Sequence, residues 1–526
     1  MLLRLLAELI GARKKQAAAA SAAPTAGSED YRGSPEQWLA HGRALEQAGK
    51  ISAALECFQA CVAQHPRSID AHLALASALA SVWRIEESLE HYAQALALPP
   101  QRPELFSNYL LLSHLAADPQ PRALCEMHQR YGALMSASVK PRHSARYRGV
   151  PDPERLLRIG YVSRNFLRHS VGFFIEPVIA QHDRSRYRVY CYYTHEVVDE
   201  TTQRIEKLAD VWRHVSGDDD ATLAARIGDD QIDILVDLGG HTKLNRLGVF
   251  ARRPAPVQMT WIGYPDTTGL PAIDYRITDA IADPAPGADA LHTERLLRLD
   301  APFLAYQPPL DSPAVASRES GTLTFGSFNM LAKLNDPMLA LWARILEAVP
   351  GSRVLLKSSA FRHGETVSRV LERFGVHGVD PERIELRDWT ADRALHLAAY
   401  GEIDIALDTF PYNGTTTTCE ALWMGVPVVT LAGEVHMSRV GATLLAAAGL
   451  RDLVAGSAED YVRIAVALAR DTTRRRTLRG DLRQRLAASP LLDHTGFSRK
   501  LERAMRLAWR QWCASQAPAR EPAPLS

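Results

Sequence analysis

A pattern that occurs twice constrains this chain more than any other feature: short apolar runs alternate with helix-like stretches in two consecutive series. The first series opens at Leu157-Arg-Ile-Gly-Tyr-Val162. It continues through a helix over Phe173–Gln181, the run Tyr187–Tyr193, helices over Thr201–Leu208 and Thr222–Ile227, and the runs Ile232–Leu238, Val257–Ile262 and Tyr275–Thr278. The second opens at Leu323-Thr-Phe-Gly-Ser-Phe328. It continues through Pro337–Ala348, Arg353–Lys357, Glu365–Phe374, Ile384–Leu386, Ala391–Tyr400, Ile403–Leu407, a helix after Gly414 and the run Val426–Leu431. Apolar strands that alternate with helices form parallel sheets covered on both faces. The expected architecture is therefore α/β with two doubly wound lobes, over residues 154–306 and 321–490, parted by the Pro-rich stretch 307–320. Open sheets of this kind take ligands beyond the carboxyl ends of their strands, so a cleft between the lobes is expected. Residues 491–526 read as a closing helix and tail.

Residues 34–140 carry a different periodicity. Trp38, Gly42, Leu45, Gly49, Ala54, Phe58 and Pro66 fall at the spacing of a 34-residue helix–turn–helix unit. Sliding by 34 gives His72, Ala76, Leu79, Ser88, Tyr92 and Pro100, with Ala95 where Cys61 stands one unit earlier. This resembles the tetratricopeptide repeat, in which small residues let paired helices approach and Pro ends the second helix. Glu104–Leu115 and Arg122–Met135 read as a degenerate third unit. Such arrays bind extended peptide on their concave face, so a protein or peptide acceptor is an expected partner; the alternative is an array that only braces the next domain. Cys57, Cys61 and His65 could in principle hold a metal, but no fourth ligand lies nearby and a packed helix face is the preferred reading.

Residues 1–33 read as a tail or linker, low in complexity over 16–30. The apolar run Met1–Ile10 carries Arg4 and Glu8, and its basic residues follow it, the reverse of a secretory signal. A short amphipathic anchor is the most it suggests. Elsewhere no stretch of about 18 uninterrupted apolar residues occurs, so no membrane span is expected. With 61 basic against 60 acidic residues, the chain has no electrostatic footprint for nucleic acid. Six cysteines without a CxxC pair fit a reducing compartment, and the cytoplasm is the default location.

The chemistry concentrates in Leu407-Asp-Thr-Phe-Pro-Tyr-Asn-Gly-Thr-Thr-Thr-Thr-Cys-Glu-Ala-Leu-Trp-Met-Gly-Val-Pro427. A strand ends near Asp408, Pro411 and Gly414 break the backbone, and Thr415, Thr416, Thr417 and Thr418 open a helix. Free amides at a helix start, with hydroxyls beside them, favour an anion such as a diphosphate. Glu420, one turn on, can accept hydrogen bonds from ribose hydroxyls. Ordinary capping explains one threonine well and four poorly.

This segment resembles the donor-site motif of the O-GlcNAc transferase / SPINDLY glycosyltransferases. So do Gly326-Ser-Phe-Asn-Met-Leu-Ala-Lys333, Ile232–Thr242, Arg253–Gln258, Gly263-Tyr-Pro265 and Gly160-Tyr-Val-Ser163, in the family's order across residues 155–510. The resemblance implies a fold of tetratricopeptide repeats followed by α/β lobes of the GT-B double-Rossmann type. It implies that Lys333 reaches the donor diphosphate and neutralises the leaving group, with Asn329 orienting the phosphate or the acceptor. It implies that His396 stacks on the nucleotide base, that Arg393 makes a polar contact to it, and that His169 is the family's histidine at the acceptor site, with "general base" as the role to test. His241, Tyr264 and Pro265 are candidate acceptor or sugar residues, His241 against an equal reading as a histidine that braces its loop, and Asp210 and His214 are weaker ones, competing with a surface-helix reading. Asp218-Asp219-Asp220 formally contains the DxD pattern that holds a metal in other transferases; unattached to a strand end, it reads as a solvated loop, and no metal or other cofactor is expected. Met330, Thr415 and Asp266 depart from the animal enzymes and bear on sugar and base identity. The Thr415–Thr418 run and Gly263–Gly269 are spelled more like SPINDLY and bacterial members.

The expected activity is inverting, metal-independent transfer of a sugar to protein Ser or Thr hydroxyls. UDP-GlcNAc is the first choice of donor and GDP-fucose, as in the SPINDLY branch, the second. The rivals are a tetratricopeptide-repeat adaptor with degenerate lobes and a transferase acting on a glycan or lipid.

Overall fold

The computed structural model describes residues 33–100, 102–139, 149–318 and 321–516. The expected N-terminal tail and the suggested anchor helix at Met1–Ile10 lie outside the described residues, apart from Gly33, as does the end of the tail after Gln516.

Two helical hairpins come first: α1 (Pro35–Gln47) with α2 (Ile51–Gln64), and α3 (Ile69–Ser81) with α4 (Ile85–Ala97). Ser34 opens α1 through a capping box with Gln37, with Pro35 in the first turn, where its missing N–H costs nothing. Gly42 lets α1 approach α2, since a Cβ there would meet the Phe58 ring at 2.2 Å. Leu39, Ala54, Phe58, Leu75, Leu79 and Val82 form the shared core. Cys57 and Cys61 pack with Trp38 and Ala71; the Cys57 thiol donates to the Trp38 carbonyl, and the His65 Nε2 meets the Gly33 carbonyl. These three residues therefore build the repeat. Helices α5 (Pro103–Ser113) and α6 (Pro121–Ser138) occupy the stretch read as the degenerate unit.

The first sheet runs β3-β2-β1-β4-β5-β6-β7, all parallel. Its strands are β1 (Leu157–Ser163), β2 (Tyr187–Tyr193), β3 (Val211–His214), β4 (Ile234–Asp237), β5 (Val257–Thr260), β6 (Tyr275–Asp279) and β7 (Arg295–Leu299). Helices α7 (Ser170–Gln181), α8 (Glu200–Leu208), α9 (Asp220–Asp229) and α10 (Leu247–Ala251) alternate with them. The second sheet runs β10-β9-β8-β11-β12-β13, again parallel. It comprises β8 (Thr324–Ser327), β9 (Arg353–Lys357), β10 (Ile384–Arg387), β11 (Ile405–Leu407), β12 (Val428–Leu431) and β13 (Val454–Ala455). Its helices are α11 (Asp336–Ala348), α12 (Gly364–Val376), α13 (Arg393–Ala398), α14 (Thr416–Trp423), α15 (Val440–Ala447), α16 (Ala458–Arg470) and α17 (Thr472–Ala487); α18 (His494–Gln516) closes the chain. Each sheet has the dinucleotide-fold order, reversing between its first and fourth strands, β1 and β4 in one and β8 and β11 in the other. Ligand crevices open at such reversals.

The described chain divides into two compact units, each drawing on separate stretches. One comprises residues up to 120, 311–433 and 452–482, so the repeats share it with the second sheet. The other comprises 121–310, 434–451 and the residues from 483 on. Within the first unit, the Trp83 indole donates to the Leu334 carbonyl (2.7 Å), the Arg373 guanidinium stacks 4.3 Å above that ring, and the Ser52 hydroxyl donates to Glu365 (2.6 Å). Within the second, α18 lays Phe497, Leu501, Met505 and Trp509 into the core of the first sheet. The register Ile159↔Val189 and Ile159↔Ile234 keeps the apolar residues of three strands level in that core. Among the described residues, no helix is long and apolar enough to cross a membrane.

Candidate functional site

The crevice of the second sheet lies between the loops that follow β8 and β11. After β8 the chain passes Phe328, Asn329 and Met330 and makes one 3-10 turn, Leu331–Lys333, which delivers Lys333. After β11, Asp408 starts a loop that ends at Gly414 and feeds α14. A small hydrogen-bond network joins the two loops. The Asp408 Oδ1 accepts the amides of Gly414 (2.7 Å) and Thr409 (2.9 Å) and the Asn329 side-chain amide (3.2 Å). The Asn329 Oδ1 accepts the Thr417 hydroxyl (2.6 Å), and the Lys333 ammonium donates to the Asn413 carbonyl (2.8 Å). Glycine at 414 leaves this network its room: a Cβ would meet the Thr417 Oγ1 at 2.5 Å and the Asn329 Oδ1 at 2.7 Å, and those side chains would have to shift.

The electrostatics are set by desolvation. Burial pulls the Lys333 ammonium down to about 8, while the Asp408 carboxylate opposes the shift. Burial pushes Asp408 itself up to about 6, against the amide of Gly414, the hydroxyl of Thr430 and the Lys333 charge. Lys333 spends one N–H on Asn413 and sits 3.8 Å over the Tyr412 ring, so an ammonium with donors to spare faces the start of α14. The Thr416 hydroxyl is buried with no protein partner among the described residues, and Thr415, at the cap position, makes no side-chain cap. The Lys333 ammonium, the unpartnered Thr416 hydroxyl and the start of α14 thus lie on two loops joined to each other, and they are donors of the kind that hold an anion.

The base and ribose candidates stand beside it. Glu420 is 6 % exposed, and its Oε2 receives the His396 Nε2 (3.2 Å) and the Tyr400 hydroxyl (3.4 Å); its Oε1 has no protein donor among the described residues. The His396 Nδ1 meets the Lys357 ammonium at 3.1 Å, and Phe328 packs against both His396 and Tyr400. Arg393 opens α13, capped by Asp392. Met330, Trp342, Phe361, Lys357 and Asn329 are among the residues that line one small pocket. Asn329, Lys333, Arg393, His396, Thr415, Thr416, Thr417 and Glu420 thus belong to one unit and follow strands β8, β10 and β11 of one sheet. Lys357, Tyr400 and Asp408 join them unannounced by the sequence.

In the other unit, His169 follows β1 and caps α7: its Nδ1 accepts the Val171 amide (3.1 Å). Burial, reinforced by Arg164, lowers it to about 4. Its Nδ1 lone pair is occupied and the ring is neutral, so Nε2 carries the proton. In this state the Nε2 of His169 presents an N–H donor. His241 and Tyr264, expected to face an acceptor, are 1 % and 2 % exposed. The His241 Nε2 meets the Thr268 carbonyl (2.8 Å), the Tyr264 hydroxyl pairs with the His128 Nε2 (2.8 Å), and His241 packs edge-on against Tyr131; Pro265 is buried too. His241 and Tyr264 brace their loops against α6, whose Gly132 has no room for a Cβ beside the Gly269 carbonyl. Asp210 accepts the Val189 amide and His214 lies on strand β3, correcting the surface-helix reading. Asp219 caps α9, Asp218 pairs with Arg226 and Asp220 with Arg246, so each carboxylate of the DxD match has a structural task. Asp266, the third departure, belongs to this unit.

Residues 121–305 and 314–501 match the model of Glycosyl transferase family 41, and residues 35–78 that of a tetratricopeptide repeat. A Petunia hybrida protein named "Probable UDP-N-acetylglucosamine--peptide N-acetylglucosaminyltransferase SPINDLY" is 43 % identical over 432 residues, 81 % of this chain and 46 % of that one. The Arabidopsis thaliana protein of the same printed name ending in SEC is 33 % identical over 376 residues, 69 % of this chain and 38 % of that one. The chain spans less than half the length of these curated relatives. The solved structure of a mutant O-GlcNAc transferase from Thermobaculum terrenum is 39 % identical, with a TM-score of 0.85 and 92 % of each chain covered. Helical repeats followed by two Rossmann-like lobes of the GT-B type are thus a fold this chain shares with a solved structure.

Proposed function

The chain belongs to glycosyl transferase family 41, and on that premise we propose that it moves a sugar from a nucleoside-diphosphate donor to Ser or Thr hydroxyls of proteins, with inversion and without a metal. The observation that carries this reading is the convergence of Lys333, Thr416 and Thr417 at the reversal point of the second sheet, one helical turn from the unengaged Glu420 Oε1. The acceptor oxygen attacks the anomeric carbon from the face opposite the diphosphate. As that bond forms, the bond from carbon to diphosphate oxygen breaks and its electron pair stays on the leaving group. Lys333 and the helix start take up the charge, which is the task a metal performs in other transferases. Glu420 holds the ribose diol, and His396 presents its ring to the base. The acceptor's proton passes to solvent as the new bond forms.

UDP-GlcNAc is the donor favoured by the names of the relatives; GDP-fucose is the second reading, favoured by the spelling of Thr415–Thr418. The repeats supply a surface for the protein acceptor. The test offers purified protein a mixture of nucleotide sugars with a cell-extract acceptor pool and scores, by mass spectrometry, donor consumption and the mass added to Ser or Thr. Consumption of UDP-GlcNAc with modified protein supports the first reading, and consumption of GDP-fucose the second. A glycan or lipid product would overturn the protein acceptor. No consumption of any donor would favour an adaptor with degenerate lobes.

A further inference from the structure

Lys357 ends β9 and is 4 % exposed. A buried ammonium stabilises a fold only when a good partner compensates its lost hydration. Lys357 meets no carboxylate at ion-pair distance among the described residues; its hydrogen-bond partner is an imidazole nitrogen, the His396 Nδ1 at 3.1 Å. Arg387, Glu402 and Asp388 act on it from a distance, as does Glu420, and burial lowers its proton affinity. Its other neighbour is the Phe328 ring, 5.6 Å from the ammonium, so the charge is buried against two rings and, among the described residues, against no ion-pairing carboxylate.

The contact decides the state of its neighbour. An ammonium only donates, so the His396 Nδ1 is the acceptor and the neutral ring carries its proton on Nε2. That proton points to the Glu420 Oε2 at 3.2 Å, to which Tyr400 also donates. The ring is held at both nitrogens, with Phe328 packed beside it at 6.0 Å. Glu420 is held through one oxygen, leaving Oε1 to face a ligand.

We propose that Lys357 is a positioning residue for the nucleoside half of the donor. Through His396 it fixes the plane on which a base stacks, and through the His396–Glu420 contact it fixes the carboxylate that receives the ribose hydroxyls. The diphosphate half, on Lys333 and the start of α14, does not depend on it. This inference rests on the nucleotide-sugar reading above.

The test uses the full chain with Lys357→Met, which keeps the length and loses the donor, and Lys357→Arg, which keeps a cation. Calorimetry measures UDP, GDP and inorganic pyrophosphate. Lys357→Met should weaken whichever nucleoside diphosphate the wild type prefers by about tenfold, the worth of about one hydrogen bond. Pyrophosphate affinity and Tm should hold, donor KM should rise more than kcat falls, and Lys357→Arg should recover part of the loss. Unchanged nucleotide affinity in the Met variant would overturn the inference. So would equal weakening of pyrophosphate with a lowered Tm, which marks a merely structural lysine. If the Met variant does not fold, Lys357→Gln decides: a nucleotide loss with pyrophosphate affinity retained supports the role, and unchanged nucleotide affinity overturns it. A wild type that binds neither UDP nor GDP would refute the donor-site reading itself, a result separate from either variant's.

Discussion

Replacing Lys333 with methionine is the perturbation that most sharply tests the proposed chemistry. The ammonium makes one hydrogen bond, to the Asn413 carbonyl at 2.8 Å, and its remaining donors face the start of α14. Removing one preorganised donor from a developing anion costs about 3 kcal/mol, and each 1.36 kcal/mol is about tenfold in rate, so turnover should fall about 10²–10³-fold. The fold should not suffer. Burial lowers the proton affinity of Lys333 to about 8, so at neutral pH the folded state carries a charge it holds at a disadvantage. The sign follows from the depressed value: between about 8 and the unfolded value of 10.5 the unfolded chain binds the extra proton, so stability rises with pH across that window and the charged lysine is destabilising below it. The Met variant should therefore match or exceed the wild type in Tm. The assay is donor turnover with saturating acceptor, followed across pH 6–9.5. In the wild type kcat/KM should fall as pH climbs through about 8, and in Lys333→Met that alkaline limb should vanish from the residual rate. Near-normal turnover, or an alkaline limb that survives the substitution, would refute the reasoning.

Other consequences can be checked independently. Gly414→Ala forces a Cβ against the Thr417 Oγ1 and the Asn329 Oδ1, so donor KM should rise about tenfold or more while the far-UV circular dichroism is kept; an unchanged KM would contradict the network. His169 is a neutral donor lowered to about 4, so the acid limb of kcat/KM should fall well below pH 6, and a midpoint near 6.5 that disappears in His169→Ala would restore it as a base. The same substitution removes the α7 cap and should cost about 1 kcal/mol in urea unfolding. Turnover should persist in EDTA, and a strict requirement for Mn²⁺ or Mg²⁺ would overturn charge neutralisation by Lys333.

Most of the architecture was legible because buried parallel strands are written as apolar runs. The strands missed from the sequence are those that break the rule. Val211–His214 is at most half-buried, Arg295–Leu299 exposes its first residue and part-exposes the next three, and Val454–Ala455 is two residues long. The side chains that join the β8 and β11 loops, Asn329, Lys333 and Thr417, were legible because they lie within contiguous motifs. Lys357 was not: 39 residues separate it from His396, and a lysine ending a strand looks like an ordinary solvated terminus until the sheet brings β9 beside β8. His241 and Tyr264 went the other way. Loop residues after strands in a matching motif suggest a ligand, yet α6, read only as a degenerate repeat helix, supplies His128 and Tyr131 to cover them. Periodicity reports that a helix has an apolar face, not what that face will bury.

The Trp83 indole bears on how such proteins can vary in length. It bonds the carbonyl of Leu334, the residue bonded to Lys333, so the last clear repeat is mortared into the segment that bears the ammonium. Cutting the chain after residue 97 would strip that carbonyl of its donor, at about 1–3 kcal/mol. Units added upstream of α1 leave this joint untouched, whereas losing α1 and α2 would also take the Ser52 hydroxyl from Glu365 and uncover Leu75 and Leu79. The repeat that looks most like scaffolding is the one the catalytic half cannot shed.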